Sequence, residues 1–305
     1  MDLQTMYHRT VELWADQVNR VTDDQWQAPT PCREWTVRDL VNHVAGEDLW
    51  TAPLMRGSTI AQVGDRLAGD LLGEDPIGAA LVAASEATTA VAERLPQHPL
   101  VHLSYGDEKA EEYLAQLTAD HLVHAWDLAV ATGHRPRLDP HLVDGVASWF
   151  GQRADDYRRA GVVGPQAHGT GDAQGDLLAA FGRDPGWGVE HAGLARFSEA
   201  FGRGDIAAIM ALMTDDCVFE ATGPAPDGSR HEGAAAVREV WDELFAGTRG
   251  ARFTEEESFV AGDRAVLRWR FDWVEEDGTP GHVRGVDVLR MRDGLVAEKL
   301  SYVKG

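Results

Sequence analysis

Residues 29–44 have the sequence PTPCREWTVRDLVNHV, which predicts a turn that runs into a helix. The two prolines cannot continue regular structure. Thr36 with Asp39 three residues later approximates a capping box with the shorter acid. Helical spacing then places Asp39, His43 and Glu47 on one face of the helix. This face is a candidate source of metal ligands.

A second stretch, DHLVHAWDLA at residues 120–129, predicts another helix with a pair of ligand-type side chains. Asp120 and His124 are four residues apart, so their Cβ atoms lie about 5–6 Å from each other. Bundle proteins build metal sites from facing helices, and three imidazole or carboxylate ligands with an open fourth position are typical of catalytic zinc. His43, Asp120 and His124 therefore form a candidate site for zinc, with nickel as the alternative ion. A structural histidine held by a nearby acid would give the same pattern.

Three motifs make residues 1 to about 187 similar to the mycothiol-dependent maleylpyruvate isomerase family, a branch of the DinB-like four-helix bundles. They are the run at 29–43, HAWDLA at 124–129 and LLAAFGRDPGW at 177–187. The resemblance implies an all-α metal-binding bundle with mycothiol as co-substrate.

The same resemblance implies which residues hold the ion. A helix histidine and a later acid-x-x-x-His pair correspond to His43, Asp120 and His124. The acid is Glu in the isomerase and is one methylene shorter here. His121 is the fallback ligand, although it lies about 100° round the helix from Asp120.

Composition limits the classes of function. The chain has 305 residues, a formal net charge of −22 and 44% hydrophobic residues. The length indicates about two domains, and the negative charge argues against nucleic acid and anionic membranes as partners. Apolar runs fall short of the ~20 residues that span a bilayer, and the N-terminus lacks the features of a signal peptide. We therefore expect a cytoplasmic protein, with Cys32 and Cys217 on separate domains and unpaired.

The hydrophobic pattern changes near Gly186. Before it, helical spacing predicts an up-and-down bundle over residues 1–187. After it, helices followed by strands predict a second domain at 190–305, an α+β cone with a curved antiparallel sheet of four or more strands around a pocket. The predicted bundle helices lie near 3–21, 37–50, 77–95, 109–132, 141–160 and 173–182.

Strand alternation selects one acid in the second domain. With the hairpin turn at 293–294, counting back pairs Asp287 with Leu300 and puts Tyr302 diagonal to it, about 7–8 Å away. Asp287 then lies on the apolar face, where its carboxyl is expected to hold a proton and act as a neutral donor or general acid. Asp287 and Tyr302 are thus candidate catalytic residues. The alternative is a structural acid bound to the backbone or to Arg268.

Two further motifs resemble the SnoaL-like polyketide cyclases and ketosteroid isomerases, which have the nuclear-transport-factor-like cone fold. They are DDCVFE at 215–220 and VDVLRMRDGLV at 286–296. The resemblance implies that Asp287 is the pocket acid. Ketosteroid isomerases carry their proton-abstracting Asp just after the residue that matches Glu220, where this chain has Ala221, so steroid-type isomerisation is not expected.

Together these features predict a metal-dependent enzyme that uses a low-molecular-weight thiol of the mycothiol type. The enzyme would either transfer the thiol to a small electrophilic molecule or isomerise that molecule. One alternative is a cyclase, isomerase or epoxide-opening enzyme that acts at Asp287 and has a structural bundle. Another is a non-catalytic protein that binds a ligand or metal. The expected partners are the small-molecule substrate and the thiol, and neither nucleic acid nor a membrane is expected to bind. A homodimer formed through the C-terminal domain is a further candidate.

Overall fold

The computed structural model describes most of the chain. The described ranges are 1–97, 99–248, 250–275 and 277–304. Contacts divide the molecule into two compact units, Met1–Pro185 and Gly186–Gly305, and each unit has its own buried hydrophobic core.

The first unit is built around a four-helix bundle. Its helices are α1 (Leu3–Val18), α2 (Val37–Met55), α3 (Ile60–Val63), α4 (Pro76–Arg94), α5 (Ala110–Ala131), α6 (Pro140–Gly151), α7 (Ala154–Arg159) and α8 (Ala173–Ala180). α1 packs against α5, and α2 packs against both α4 and α5. Most of the surface of α5 is buried, which is typical of a central helix. The capping box of Thr36 and Asp39 begins α2 as predicted, so α2 and α5 bring the predicted ligand residues towards each other.

Two details of the first unit differ from the sequence prediction. A hairpin of β1 (Leu100–Leu103) and β2 (Gly106–Lys109) accompanies the bundle. Strands of four residues are too short to show a diagnostic periodicity, so the sequence did not predict them. The helix expected over 141–160 is broken after Gly151, a residue of low helix propensity.

The second unit is α+β, as predicted. Its elements are α9 (Val189–Arg203), α10 (Ile206–Ala211), β3 (Met213–Glu220), β4 (Arg230–Glu232), α11 (Ala234–Gly247), β5 (Arg252–Ala261), β6 (Arg264–Val274), β7 (Pro280–Arg292) and β8 (Leu295–Val303). The strands form a six-stranded sheet in the order β4-β3-β8-β7-β6-β5. β3 runs parallel to β8, which corrects the expectation of a wholly antiparallel sheet. The long connection between these two strands supplies the crossover that parallel pairing requires.

The β7–β8 hairpin contains an irregularity that the sequence analysis missed. Asp293 and Gly294 form the predicted turn with φ values of 54° and 76°. The register then shifts between Arg290 and Met291, and Ala297 of β8 is left as the extra residue. Such a bulge changes which partner each later residue meets across the ladder.

This shift corrects two predicted neighbours of Asp287. Asp287 lies opposite Ser301 and not Leu300, whereas Tyr302 pairs with Val286. Asp287 is 2% exposed and Tyr302 is 52% exposed, because alternate residues of a strand face opposite sides. Asp287 is on the core face as predicted, but Tyr302 is on the outer face and is not its neighbour.

Glycines in β7 make room for tryptophans in β6. Gly285 lies opposite Trp269, and Gly281 lies opposite Trp273. A Cβ atom at Gly285 would be 2.3 Å from the ring of Trp269, and one at Gly281 would be 2.4 Å from the ring of Trp273. The absence of side chains at these positions lets both indole rings line the inner side of the sheet.

Within the part of the chain that the structure describes, every helix is too short or too polar to cross a bilayer. Cys32 and Cys217 are both free thiols, as expected.

Candidate metal centre and ligand cavity

The structure brings the three predicted ligand residues of the first unit together. His43 comes from α2, and Asp120 and His124 come from successive turns of α5. The Nε2 atoms of His43 and His124 lie 3.7 and 3.3 Å from the same oxygen, Asp120 Oδ1. The ligand-type atoms of the three residues all lie within 4.8 Å of one another. One ion can therefore be reached by all three side chains.

Charge interactions within this group are strong. Burial acts to raise the pKa of the Asp120 carboxyl, but the neighbouring imidazoles of His124 and His43 hold that pKa well below its usual range. Burial likewise acts to lower the pKa of His124, but Asp120 and Asp127 together raise it well above the usual histidine range. Without an ion, the centre therefore holds a carboxylate beside a protonated imidazole.

A second set of contacts fixes the orientation of His124. Its Nδ1 donates to Asp127 Oδ2 at 2.9 Å, because an ionised carboxylate can only accept. Arg183 Nη2 donates to the same carboxylate oxygen at 2.9 Å and to Cys32 Sγ at 3.2 Å. A carboxylate behind a ligating histidine is the usual arrangement that points the other ring nitrogen at a metal. This role of Asp127 was not predicted from the sequence.

The two other acids on the predicted stripe of α2 have different environments. Asp39 accepts from the Thr36 backbone in the capping box, so it serves the helix end. Burial, followed by the charge of Asp120, raises the pKa of Glu47. Glu47 lies one helical turn from His43 on α2.

His121 occupies a separate buried site. Its Nε2 lies 3.2 Å from Asp48 Oδ1, both side chains are fully buried, and Nδ1 lies 2.8 Å from the Leu117 carbonyl oxygen. Burial acts to lower the pKa of His121, but the Asp48 carboxylate outweighs it and raises the pKa. His121 belongs to neither of the metal-ligand groups found among the described residues. It therefore does not fit the fallback role in the metal centre.

The donor set of the first group fits a divalent ion. Asp120 Oδ2 is buried and has no hydrogen-bond partner among the residues that the structure describes. A buried, unpaired carboxylate oxygen is costly unless something else satisfies it, and a metal ion would do so. The second group, Cys32, His124 and Asp127, fits less well because the Arg183 guanidinium already bonds two of its members and repels a cation.

The second unit contains a cavity of about 740 Å³ on the inner side of its sheet. The size is typical of a small-molecule site. Most of the lining is aromatic or aliphatic, and Lys299 and Ser301 are among its few polar side chains. The aromatic lining residues are Phe201, Phe219, Trp241, Phe253, Trp269, Phe271 and Trp273.

Asp287 lies behind this lining and not in it. Lys299 Nζ is 2.9 Å from Asp287 Oδ2 and donates to Ser301 Oγ at 2.7 Å, and Ser301 Oγ donates to Asp287 Oδ1 at 2.7 Å. Both carboxylate oxygens therefore have partners. The expected partners were apolar side chains, the backbone or Arg268, but Arg268 bonds Glu257 at 2.8 Å and its side chain is 54% exposed.

Comparisons with known proteins agree with this two-part architecture. The model for the mycothiol maleylpyruvate isomerase N-terminal domain matches residues 7–129, and that for the SnoaL-like domain matches residues 194–299. Uncharacterised proteins from Mycobacterium tuberculosis strains H37Rv and CDC 1551 are each 34% identical to this chain over 177 residues, which is 56% of this chain and 85% of theirs. The first unit thus contains the segment that matches the mycothiol maleylpyruvate isomerase N-terminal domain. The second unit is a SnoaL-like domain.

Solved structures resemble the SnoaL-like domain. An NTF2-like protein of unknown function from Mesorhizobium loti is 44% identical; the match covers 38% of this chain and 92% of that protein, with a TM-score of 0.34. An NTF2-like protein of unknown function from Cytophaga hutchinsonii is 19% identical; the match covers 38% of this chain and all of that protein (100%), with a TM-score of 0.34.

Sequence reasoning missed Lys299 and Ser301 in the SnoaL-like domain. A regular hairpin places both on the outer face, and only the extra residue Ala297 turns them inwards. The adjacent apolar pair Val296 and Ala297, both buried, is the one signal of a bulge that the sequence offers.

Proposed function

We propose that the first unit is a metal-dependent catalytic domain that uses a low-molecular-weight thiol of the mycothiol type. His43, Asp120 and His124 would hold one zinc or nickel ion. The observation that carries this proposal is the convergence of two imidazole Nε2 atoms on Asp120, whose second oxygen is buried and unpaired. The family supports the choice of thiol, since its description names mycothiol.

Each contact of the centre has a distinct part in this function. When bound, the ion supplies a Lewis acid that lowers the pKa of a thiol and so favours the nucleophilic thiolate. Asp127 holds the His124 ring so that Nε2 faces the ion, and Arg183 balances the Asp127 charge. The raised pKa of Glu47 suits a group that takes up and releases a proton. The substrate would be a small electrophile that is isomerised or joined to the thiol.

Metal analysis combined with a thiol-dependent assay tests this proposal. We expect about one divalent ion per purified chain, and consumption of small electrophiles only when the thiol is present. His43→Ala should lose the ion, because two ligands rarely hold a transition metal against competition. His141→Ala, which removes an exposed histidine of α6, is the matched control and should keep it. Stoichiometric metal in His43→Ala would contradict the ligand assignment.

We propose that the second unit binds a ligand and does not transfer protons through Asp287. The two oxygens of Asp287 are occupied by Lys299 and Ser301, and Tyr302 lies on the opposite face of the sheet. A cyclase or isomerase mechanism at Asp287 would first have to break this buried ion pair.

A further inference from the structure

The two imidazole ligands of the metal centre are held by different kinds of contact. The ring of His124 is oriented by the hydrogen bond from its Nδ1 to Asp127. For His43 the structure shows the contact of Nε2 with Asp120, but no acceptor for Nδ1 among the residues that it describes. A ligating histidine usually donates from its second ring nitrogen to a carboxylate, a backbone carbonyl or water. Within the described chain, the orientation of His43 therefore depends on packing.

The indole of Trp35 packs against both ligand rings. Its ring centre lies 4.7 Å from that of His43 and 5.9 Å from that of His124, with interplanar angles of 38° and 41°. The two imidazoles meet edge to face at 5.1 Å. Separations of about 4.5–7 Å are typical of favourable aromatic pairs. Trp35 thus makes its closer contact with the ligand that lacks a carboxylate behind it.

The start of α2 explains why Trp35 reaches His43. Thr36 is the N-cap of this helix, and Trp35 directly precedes it. His43 follows Thr36 by seven residues, which is close to two turns of about 3.6 residues each, so both lie on the same side of the helix. Helical side chains tilt towards the N-terminus, so His43 leans towards the indole.

Hydrogen bonds close the backbone around Trp35. Its carbonyl oxygen accepts from Thr30 N at 3.2 Å and from Thr30 Oγ1 at 2.9 Å, and its N–H donates to the Cys32 carbonyl oxygen at 2.8 Å. The indole also packs against the hydrophobic core that α1, α2, α4 and α5 form together. A ring with a fixed backbone and a packed edge has few orientations, so it can restrict the imidazole that it touches.

We propose that Trp35 is a positioning residue of the metal centre, whose indole holds the His43 imidazole with Nε2 directed towards Asp120 and the ion. This inference rests on the metal centre proposed above. Asp127 orients one ligand ring by a hydrogen bond, and Trp35 orients the other by ring packing. Packing limits the rotation of the His43 ring without fixing which nitrogen carries the proton.

Cobalt(II) affinity of full-chain variants, measured by competition with a chelator, tests this inference. Trp35→Leu keeps an apolar side chain but removes the flat ring. We expect its affinity to fall about tenfold, in the upper part of the range for an aromatic contact, because the indole touches two rings. Trp35→Phe keeps a flat ring and should stay within about twofold of the wild type. Trp26→Leu replaces another half-buried tryptophan on the same core and should leave affinity unchanged.

The absorption bands of bound cobalt separate positioning from stability. These bands depend on the coordination geometry and not on how stable the fold is. At saturating cobalt, Trp35→Leu should therefore show shifted bands, whereas Trp35→Phe and Trp26→Leu should match the wild type. Wild-type bands or wild-type affinity in Trp35→Leu would overturn the role of Trp35 alone. Failure of the wild-type chain to bind cobalt would overturn the metal centre and this inference with it.

A measurement on the metal-free wild-type chain covers the case that Trp35→Leu does not fold. Protons that lie over the face of an indole are shifted upfield in the NMR spectrum. The ring protons of His43, assigned by their loss in His43→Ala, should therefore lie upfield of those of His141, an exposed histidine of α6. Equal shifts of the two histidines would show that the indole does not pack on His43 and would overturn the proposal.

Discussion

Asp120 of the first unit and Asp287 of the second are both acids held close to cations, but they differ in how their oxygens are used. Asp120 directs one oxygen to two histidines and leaves the other buried without a partner in the described ranges. Asp287 gives one oxygen to Lys299 and the other to Ser301. An acid with one oxygen entirely without a partner can receive a ligand there, whereas an acid with a partner on each oxygen is better suited to hold its neighbours in place. The presence of an oxygen without a partner, and not burial alone, therefore separates a candidate ligand from a structural group.

We expect the largest effect from a substitution of Asp287, the acid with a partner on each oxygen. Asp287→Asn leaves the Lys299 ammonium buried without a counter-charge, so we expect the free energy of unfolding to fall by about 3–5 kcal/mol. If Asp287 were instead the protonated acid that the sequence predicts, the same change would be mild, since the amide keeps the shape and a donor. Urea unfolding measures the change, and adding Lys299→Met should recover much of the loss. A loss below about 1 kcal/mol would show that the pair is not an ionised one.

Substitution of Asp120 should affect metal affinity more than stability. Asp120→Asn removes a charged ligand, so we expect metal affinity to fall by more than about 100-fold, which is the largest loss usual for a residue that only contacts a ligand. The free energy of unfolding of the metal-free chain should change less than it does in Asp287→Asn. Asp120→Glu restores the arm length of the related isomerase and should keep or tighten binding. Competition against a chelator measures affinity, with Asp144→Asn on the exposed side of α6 as control. Unchanged affinity in Asp120→Asn would remove Asp120 from the ligand set.

The residue behind His124 should give an intermediate result. Asp127→Asn removes the carboxylate that accepts from His124 Nδ1, and we expect metal affinity to fall about 10–100-fold. The same chelator competition checks this, with circular dichroism to confirm that the bundle is folded. If affinity were unchanged, orientation of His124 by Asp127 would not matter to the site.

Metal affinity at the open centre should also depend on pH. The pKa of His124 is raised in the metal-free centre, so an ion must displace a proton that is present at neutral pH. Affinity should therefore increase with pH, up to about tenfold per unit for one displaced proton, and level off above the raised pKa. Calorimetry in buffers of different ionisation enthalpy counts the protons released. A flat affinity between pH 6 and about pH 8 would contradict a protonated His124.

Local sequence rules predicted much of the first unit. The capping box at Thr36 and the four-residue spacing of Asp120 and His124 are short-range features, so helix geometry alone places these side chains. The structure brings His43 to them from another helix. The buried pair of Asp48 and His121 was not predicted, since it depends on which faces of α2 and α5 meet, and no local pattern specifies that.

The second unit shows where such rules fail. The α+β fold, the turn at 293–294 and the inward face of Asp287 follow from alternation and turn chemistry, and the structure agrees. The partners of Asp287 do not follow, because a single extra residue in β8 reverses the faces of everything after it. A regular hairpin would put Lys299 and Ser301 on the outer face, and Tyr302 was taken for a neighbour of the acid.

The bulge at Ala297 makes the chemistry of the cavity depend on strand pairing as well as on residue identity. If Ala297 entered the ladder as a regular partner of Arg290, Leu300 and Tyr302 would turn inwards, while Lys299 and Ser301 would move to the surface. Deleting Ala297 would instead remove the bulge and keep Lys299 opposite Leu289 and Ser301 opposite Asp287. A relative with the same residues in a regular ladder would thus present an aliphatic and phenolic floor without a cation, so a change of strand pairing could change the ligand without any substitution in the wall.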